Sequence, residues 1–346
     1  MESSQECTID PDDYFHALKV NQSQVPKCTI KKNVLIGYVL PNMPRRYYWK
    51  VLWIPCNETL NVWTHLVALI YYMRMLYLYN DSLDLFVQWP LLISLLSSMS
   101  VATCSCFAHT FHSRSTFDHC CWMMLDFFGI ISYSFCSTVS HFFACSQLSH
   151  YARLGFWNII MFTLNCCIVF TMLCVSKIPY SVTSKRYGNS IRIGGLAYGY
   201  IYGILPLLDR FMTVGWDNDA MKYHILSFVY MGLSAYMYAS TMPQSISPGS
   251  FDIIGHNHQI FHVFSAFAMY YDIIAVHLDL TLPGGPWASL TEQDDHPTLV
   301  TVSICGLIVV TWCLFTAAYV AKHIEKSIQA HGEVSCNGFS ENVKQS

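Results

Sequence analysis

The sequence predicts an all-α integral membrane protein with eight transmembrane helices. Composition carries part of this: 53% of the 346 residues are hydrophobic and only 12% are charged, whereas about a quarter of a soluble domain is charged. The distribution of apolar residues carries the rest. Residues 85–113, 127–152, 154–176, 223–251 and 296–321 contain no Asp, Glu, Lys or Arg, and roughly 20 apolar residues span a bilayer as a helix. A bilayer offers no water to the backbone, so a chain of this kind spans as helices, each satisfying its own N–H and C=O groups.

Spans are expected at about 60–79, 86–111, 121–145, 155–175, 191–211, 223–242, 257–278 and 298–321. The first is weakened by Arg74, and the fifth has sixteen residues between Arg192 and Asp209. The first 33 residues are polar, so insertion is expected to start from an internal helix rather than a cleaved signal. Pro243, Pro248 and Gly249 mark the loop before the seventh span, and Pro283, Gly284, Gly285 and Pro286 the loop after it. Tyr47, Tyr48 and Trp49, flanked by Arg45, Arg46 and Lys50, suit a segment lying at the membrane interface.

Basic residues orient the chain. An eight-span topology puts fifteen of the nineteen Lys and Arg on one side, namely Lys19, Lys27, Lys31, Lys32, Arg45, Arg46, Lys50, Arg114, Lys177, Lys185, Arg186, Arg192, Lys322, Lys326 and Lys344. Arg153, Arg210 and Lys222 fall opposite, with Asp81, Asp84, Asp217, Asp219, Asp279, Glu292, Asp294 and Asp295. Both termini are therefore expected in the cytoplasm, and the acceptor sequences at Asn21 and Asn57 should stay unglycosylated. The fifteen cysteines fall mostly in or beside apolar blocks and contain no CxxC pair, so they read as small packing side chains.

In this topology His109 closes the second span, Asp126 opens the third, and His258 and His262 open the seventh, all at similar depth on the cytoplasmic side. His258 and His262 share one helix face at i and i+4. Three neutral imidazoles form a normal zinc set with one position open for water. A nearby carboxylate such as Asp126 could hold or deprotonate that water. Ser105, one turn before His109, could donate a hydrogen bond to a ligand oxygen or an imidazole. His112 is an alternative to His109.

The flanking residues resemble the progestin and adiponectin receptor family. The resemblance rests on Asn57-Glu58-Thr59-Leu60-Asn61-Val62-Trp63-Thr64-His65, Ser105-x-x-x-His109, Leu125-Asp126-Phe127-Phe128-Gly129-Ile130 and Gly255-His256-Asn257-His258-Gln259-Ile260-Phe261-His262. It implies that His109, His258 and His262 bind zinc and that Asp126 holds the zinc water. The adiponectin-receptor branch, associated with ceramide hydrolysis, has seven spans; the additional span at 298–321, with Pro248-Gly249-Ser250-Phe251-Asp252-Ile253 and Ser140-His141-Phe142-Phe143, places the resemblance nearer the membrane progestin receptor branch. The implied organisation is a cytoplasmic and interfacial segment at 1–56, a seven-helix zinc-containing core at 57–279, an outer loop and eighth helix at 280–321, and a cytoplasmic tail at 322–346.

Other polar residues divide between structure and site. Glu58, Asn61 and His65 read as a hydrogen-bond network at the entrance of the first helix, or as cavity lining. Asp272, near the bilayer midplane, is either paired, with Arg74 or a polar group of another span, or available to a steroid oxygen. Asp209 and Arg210 read as a local pair at the outer end of the fifth span. Gly195, Gly199 and Gly203 repeat at a spacing that permits close helix packing, within the chain or in a homodimer.

Two functions follow as expectations. The first is a plasma-membrane receptor for a progestin-like steroid or related lipid, signalling to a G protein or another cytoplasmic partner. The second is a zinc amidase of the ceramidase kind, acting on a sphingolipid drawn from the bilayer. Nucleic acid is not an expected partner.

Overall fold

The computed structural model describes residues 20–146, 148–179, 181–216, 219–282, 287–288 and 299–331. The loop signals at 283–286, the acids at 292–295, the tail beyond 331 and the first nineteen residues lie outside them. The protein is all-α: among the described residues, extended pairing is limited to an isolated bridge between Val20 and Tyr38.

The main helices are α1 (Thr59–Ser82), α2 (Trp89–Phe111), α3 (Thr116–Ser140), α4 (Leu148–Val175), α5 (Val182–Gly203), α6 (Leu205–Val214), α7 (Asp219–Ala239), α8 (Asn257–Thr281) and α9 (Leu299–His331). Five of these are long and apolar enough to cross a membrane, and the α5–α6 pair, bent by 47°, makes a sixth if counted as one span. The protein is thus a multi-pass membrane protein. Helices α1 and α7 coincide with the first and sixth expected spans but are more polar, because α1 carries His65, Arg74, Asn80 and Asp81, and α7 carries Asp219, Lys222 and His224.

Apolar faces assemble these helices. One buried cluster joins α3, α4 and α9 through Phe135, Phe142, Phe162, Phe170, Val309 and Cys313. A second joins α1, α2 and α8 through Tyr72, Leu91, Leu95, Ile273 and Val276. Helix α9 lies at the periphery against α3 and α4; only 28% of its apolar window is buried, and Val300, Leu307, Leu314 and Phe315 face outward. The cysteines in these segments are free and pack as apolar side chains.

Glycine permits close contact at specific points. Gly195 and Gly199 face Val169 of α4 and Gly203 faces Thr138 of α3, so the small-residue stripe is used inside the chain. At Gly129 of α3, an added Cβ would stand 3.0 Å from the Cys104 Cβ and 3.1 Å from the Val101 Cα, because α2 and α3 approach backbone to backbone.

Three irregular features shape the bundle. Helix α3 runs into a π-helical turn at His141–Cys145, α4 breaks at Gly155 with φ +43°, and α5 breaks into α6 at Ile204. Residues 20–56 then form a cap over the start of α1 and the end of α2. Its core is Val25, Val34, Tyr38, Tyr47, Tyr48 and Val51, packed against Val62, Cys106 and Phe111. The amides of Leu35 and Ile36 both donate to Asp252 Oδ2, at 3.1 and 2.9 Å, which fastens the cap to the loop before α8. The expectation for Tyr47 and Tyr48 needs correcting: both are buried in the cap, and Trp49 and Trp53 are the exposed aromatics.

Replacing Gly129 by Val is expected to wedge α2 from α3 and cost about 1–3 kcal/mol, the usual range for overpacking. Gly232→Ala, where an added Cβ meets open space, serves as control. Melting of both variants in detergent checks this: Gly129→Val should fall by several degrees more than the control.

Candidate metal centre

Three helix ends meet beneath the cap. Helix α2 delivers His109 in its last turn, while α8 delivers His258 and His262 in its first two turns. Gly255, at φ +86°, turns the chain into α8, where an added Cβ would press on the Phe251 ring at 3.2 Å. Gln259 then fixes the entry, accepting from the Gly255 amide at 2.6 Å and donating to the Ile253 carbonyl at 2.8 Å.

His109, His258 and His262 each offer a ligand atom, all within 4.8 Å of one another. His109 and His258 face each other Nε2 to Nε2 at 3.3 Å. Two ligands of a tetrahedral ion with metal–nitrogen bonds of about 2.0–2.1 Å are themselves about 3.3 Å apart. The donor set therefore fits a metal ion of the zinc class.

The far sides of two rings fix which nitrogen is available. His109 Nδ1–H donates to Glu58 Oε2 at 2.7 Å, leaving Nε2 as the lone-pair donor. Thr64 Oγ1 donates to the Asn61 carbonyl at 3.0 Å and faces His262 Nδ1 at 3.3 Å. Its oxygen can accept from Nδ1–H, again freeing Nε2. Carboxylate and hydroxyl partners of this kind orient metal-binding imidazoles.

Glu58 is the hub of the surrounding network. It is 1% exposed, accepts from Asn61 Nδ2 at 2.7 Å, pairs with Lys31 Nζ at 2.8 Å and lies 3.4 Å from His112 Nε2. Burial pushes its carboxyl up, but Lys31, His112 and His109 outweigh that and hold it well below the usual carboxylate range. His256, held by the Asn57 carbonyl at 2.9 Å, is pushed down to about 3 by burial, with Lys31 adding to it, and is neutral.

The other expected residues are placed as follows. The His65 ring lies 4.2 Å from the His262 ring at a 54° tilt, with a buried Nδ1 that has no hydrogen-bond partner among the described residues. His112 turns toward His119, Nδ1 to Nδ1 at 3.1 Å, but with Glu58 and His109 it forms a second possible ligand group. Ser105 is buried on α2, and its hydroxyl bonds to no described residue. Asp126 is half-buried on α3 and pairs with no described residue; it lies near Cys104, Cys106 and Tyr238. Asn57, the acceptor-sequence asparagine, is buried.

Asp272 does not pair with Arg74, which is exposed. It accepts from His141 at 2.6 Å, Tyr133 at 2.9 Å and Ser137 at 3.0 Å. Arg210 is buried and donates to both oxygens of Asp279, in the last turn of α8, at 2.9 Å. Sequence reasoning missed Lys31 and Thr64 at the first site. Thr64 sits one turn from Asn61 and could have been found by helical spacing, whereas Lys31 belongs to an irregular cap with no periodicity to read.

These observations define a multi-pass, all-α membrane protein with a buried histidine–carboxylate centre of metal-binding character. Residues 54–273 match the haemolysin-III-related family, and the chain belongs to it. It is similar to membrane progestin receptor beta of Homo sapiens, at 31% identity over 75% of each chain. It is also similar to membrane progestin receptor gamma-B of Danio rerio, at 29% identity over 76% of this chain and 82% of the relative. Membrane progestin receptor alpha-B of Danio rerio is 27% identical over 90% of this chain and 89% of its own.

Glu58→Gln keeps the shape of the hub but weakens the acceptor for His109. Metal affinity is expected to fall about 10–100-fold, as for other partners of metal-bound imidazoles. Metal content after dialysis against graded chelator checks this, and unchanged retention would remove Glu58 from the centre.

Proposed function

We propose that this protein is an eight-span membrane receptor for a progestin-like steroid or related lipid, with a zinc site at His109, His258 and His262 and both termini in the cytoplasm. One observation carries the reading. The site ties the end of α2 to the start of α8 directly beneath the cap, through Glu58 and Lys31, so a change among the helices is felt at the surface that faces a cytoplasmic partner. The basic residues of the cap and of the α2–α3 and α4–α5 connections support that orientation. The relatives named as membrane progestin receptors support the ligand class.

Bound at this site, zinc would cross-link α2 and α8 and act as a Lewis acid toward an oxygen ligand. Glu58 and Thr64 hold the imidazoles of His109 and His262 in the orientation the ion needs. Signalling through a G protein or another cytoplasmic partner from the plasma membrane completes the receptor reading.

A second reading, lipid amide hydrolysis, is favoured by Asp126 and Ser105. A half-buried carboxylate and a buried hydroxyl, each without a described partner, are groups available for chemistry. Asp126 would take a proton from water as its oxygen adds to the amide carbonyl of a ceramide. Asp126 would pass that proton to the amide nitrogen, and cleavage of the C–N bond would then give a fatty acid and a sphingoid base, with Ser105 donating to the carbonyl oxygen.

Asp126→Asn separates the two readings. The receptor reading expects saturable binding of labelled progestin to membranes to survive in Asp126→Asn and to be lost, together with metal, in His109→Ala. The hydrolase reading expects purified protein to release fatty acid from labelled ceramide, and expects Asp126→Asn to abolish that release. Absence of saturable steroid binding by the folded, metal-loaded protein would overturn the first reading.

A further inference from the structure

A second buried polar cluster lies far from the first. Its members are His141 and Cys145 of the π-helical turn, Arg210 of α6, His224 of α7, and Asp272 and Asp279 of α8. Asp272 lies ten residues beyond His262 on α8, about 15 Å along the helix at 1.5 Å per residue. One ion cannot serve both places.

The ligand atoms form two overlapping sets. His141, His224 and Asp272 lie within 4.8 Å of one another, as do Cys145, His224 and Asp279, so His224 belongs to both. All five are buried. His224 Nε2 faces Asp279 Oδ2 at 2.9 Å, while its Nδ1 is buried with no hydrogen-bond partner among the described residues. An orphaned polar atom in an apolar bundle is costly.

Among the described residues, the charges of the cluster do not sum to zero. With neutral imidazoles and a neutral thiol, Asp272 and Asp279 together carry one more charge than Arg210 cancels. An uncompensated charge inside a membrane bundle is expensive. A divalent cation alone overshoots by one, whereas a divalent cation with a Cys145 thiolate brings the group to zero. A single proton on His141 would also reach zero, but it would leave the buried His224 Nδ1 without a partner among the described residues. Imidazole, carboxylate and thiolate together are the ligands of zinc-class metals.

We propose that this cluster is a second metal site, binding a divalent ion of the zinc class through His141, His224 and Asp272, with Cys145, which lies in the second set with His224 and Asp279, turning from Asp279 to become the fourth ligand. Arg210 holds Asp279 beside the site as the balancing counter-charge. The His141–Asp272 contact of 2.6 Å opens on binding toward the roughly 3.3 Å that two ligands of a tetrahedral ion keep. The site also explains why two irregular elements, the π-helical turn and the short helix α6, converge here. π-Helical turns recur at functional sites, and broken spans bring ion ligands together inside membranes.

Metal counting on the full-length protein in detergent tests this independently of the first site. Two equivalents per chain are expected in the wild-type protein. One should remain in His109→Ala/His262→Ala and be lost on adding His224→Ala. Should the combined variants fail to fold, cobalt loading of the otherwise intact chain decides: a thiolate-to-cobalt absorption band should appear and should vanish in Cys145→Ser at unchanged helicity. At most one equivalent in the wild-type protein, with no such band, would overturn the proposal and leave the cluster a proton-bridged ion pair.

Discussion

One buried carboxylate organises the capped end of this molecule. Glu58 has no access to water, so its charge is tolerable only while Lys31, Asn61, His109 and His112 surround it. Breaking a buried pair by removing one member typically costs about 3–5 kcal/mol. The cap, α1 and α2 are thereby held in one arrangement, and the orientation of His109 follows from it. Asp252 extends the constraint by binding two cap amides from the loop that leads into α8. The three histidines meet because two carboxylates, neither belonging to the triad, hold their helices in register.

The other end of the bundle answers the same electrostatic problem differently. Asp279 is met by a guanidinium and an imidazole, Asp272 by an imidazole and two hydroxyls. Neither acid pairs along its own helix. Each reaches across to elements whose regular geometry is broken, the π-helical turn and α6. Irregular backbone inside a membrane must be repaid in hydrogen bonds, and Arg210 supplies one to the Cys145 carbonyl at 3.3 Å as well as two to Asp279.

The helices were legible because hydropathy is a one-dimensional property. Six of the eight expected spans start within five residues of the start of a long helix, and the i, i+4 spacing of His258 and His262 with the end-of-span position of His109 anticipates their meeting. Three-dimensional pairings were not legible. Arg74 and Asp272 looked complementary in sequence, yet Arg74 points outward and His141 takes the acid. Arg210 beside Asp209 suggested a local pair, and its reach to Asp279 of α8 could not be read from that neighbour. Tyr47 and Tyr48 looked interfacial by composition, and became core only because residues 20–56 fold back on the helix ends. Lys31 could not be connected to Glu58 across an irregular segment without periodicity.

The cap has a kinetic consequence. His109 and His262 are each 2% exposed and His258 is half-buried, and residues 20–56 pack over the helix ends that carry the centre. Exchange through the capped face waits for the cap to detach, an opening whose rate is set by the local stability of the Lys31, Asp252 and Val34 contacts. Residence at the centre is then governed by how often a surface segment opens, and two chains with identical ligands but different caps would differ in exchange rate while sharing the same equilibrium affinity.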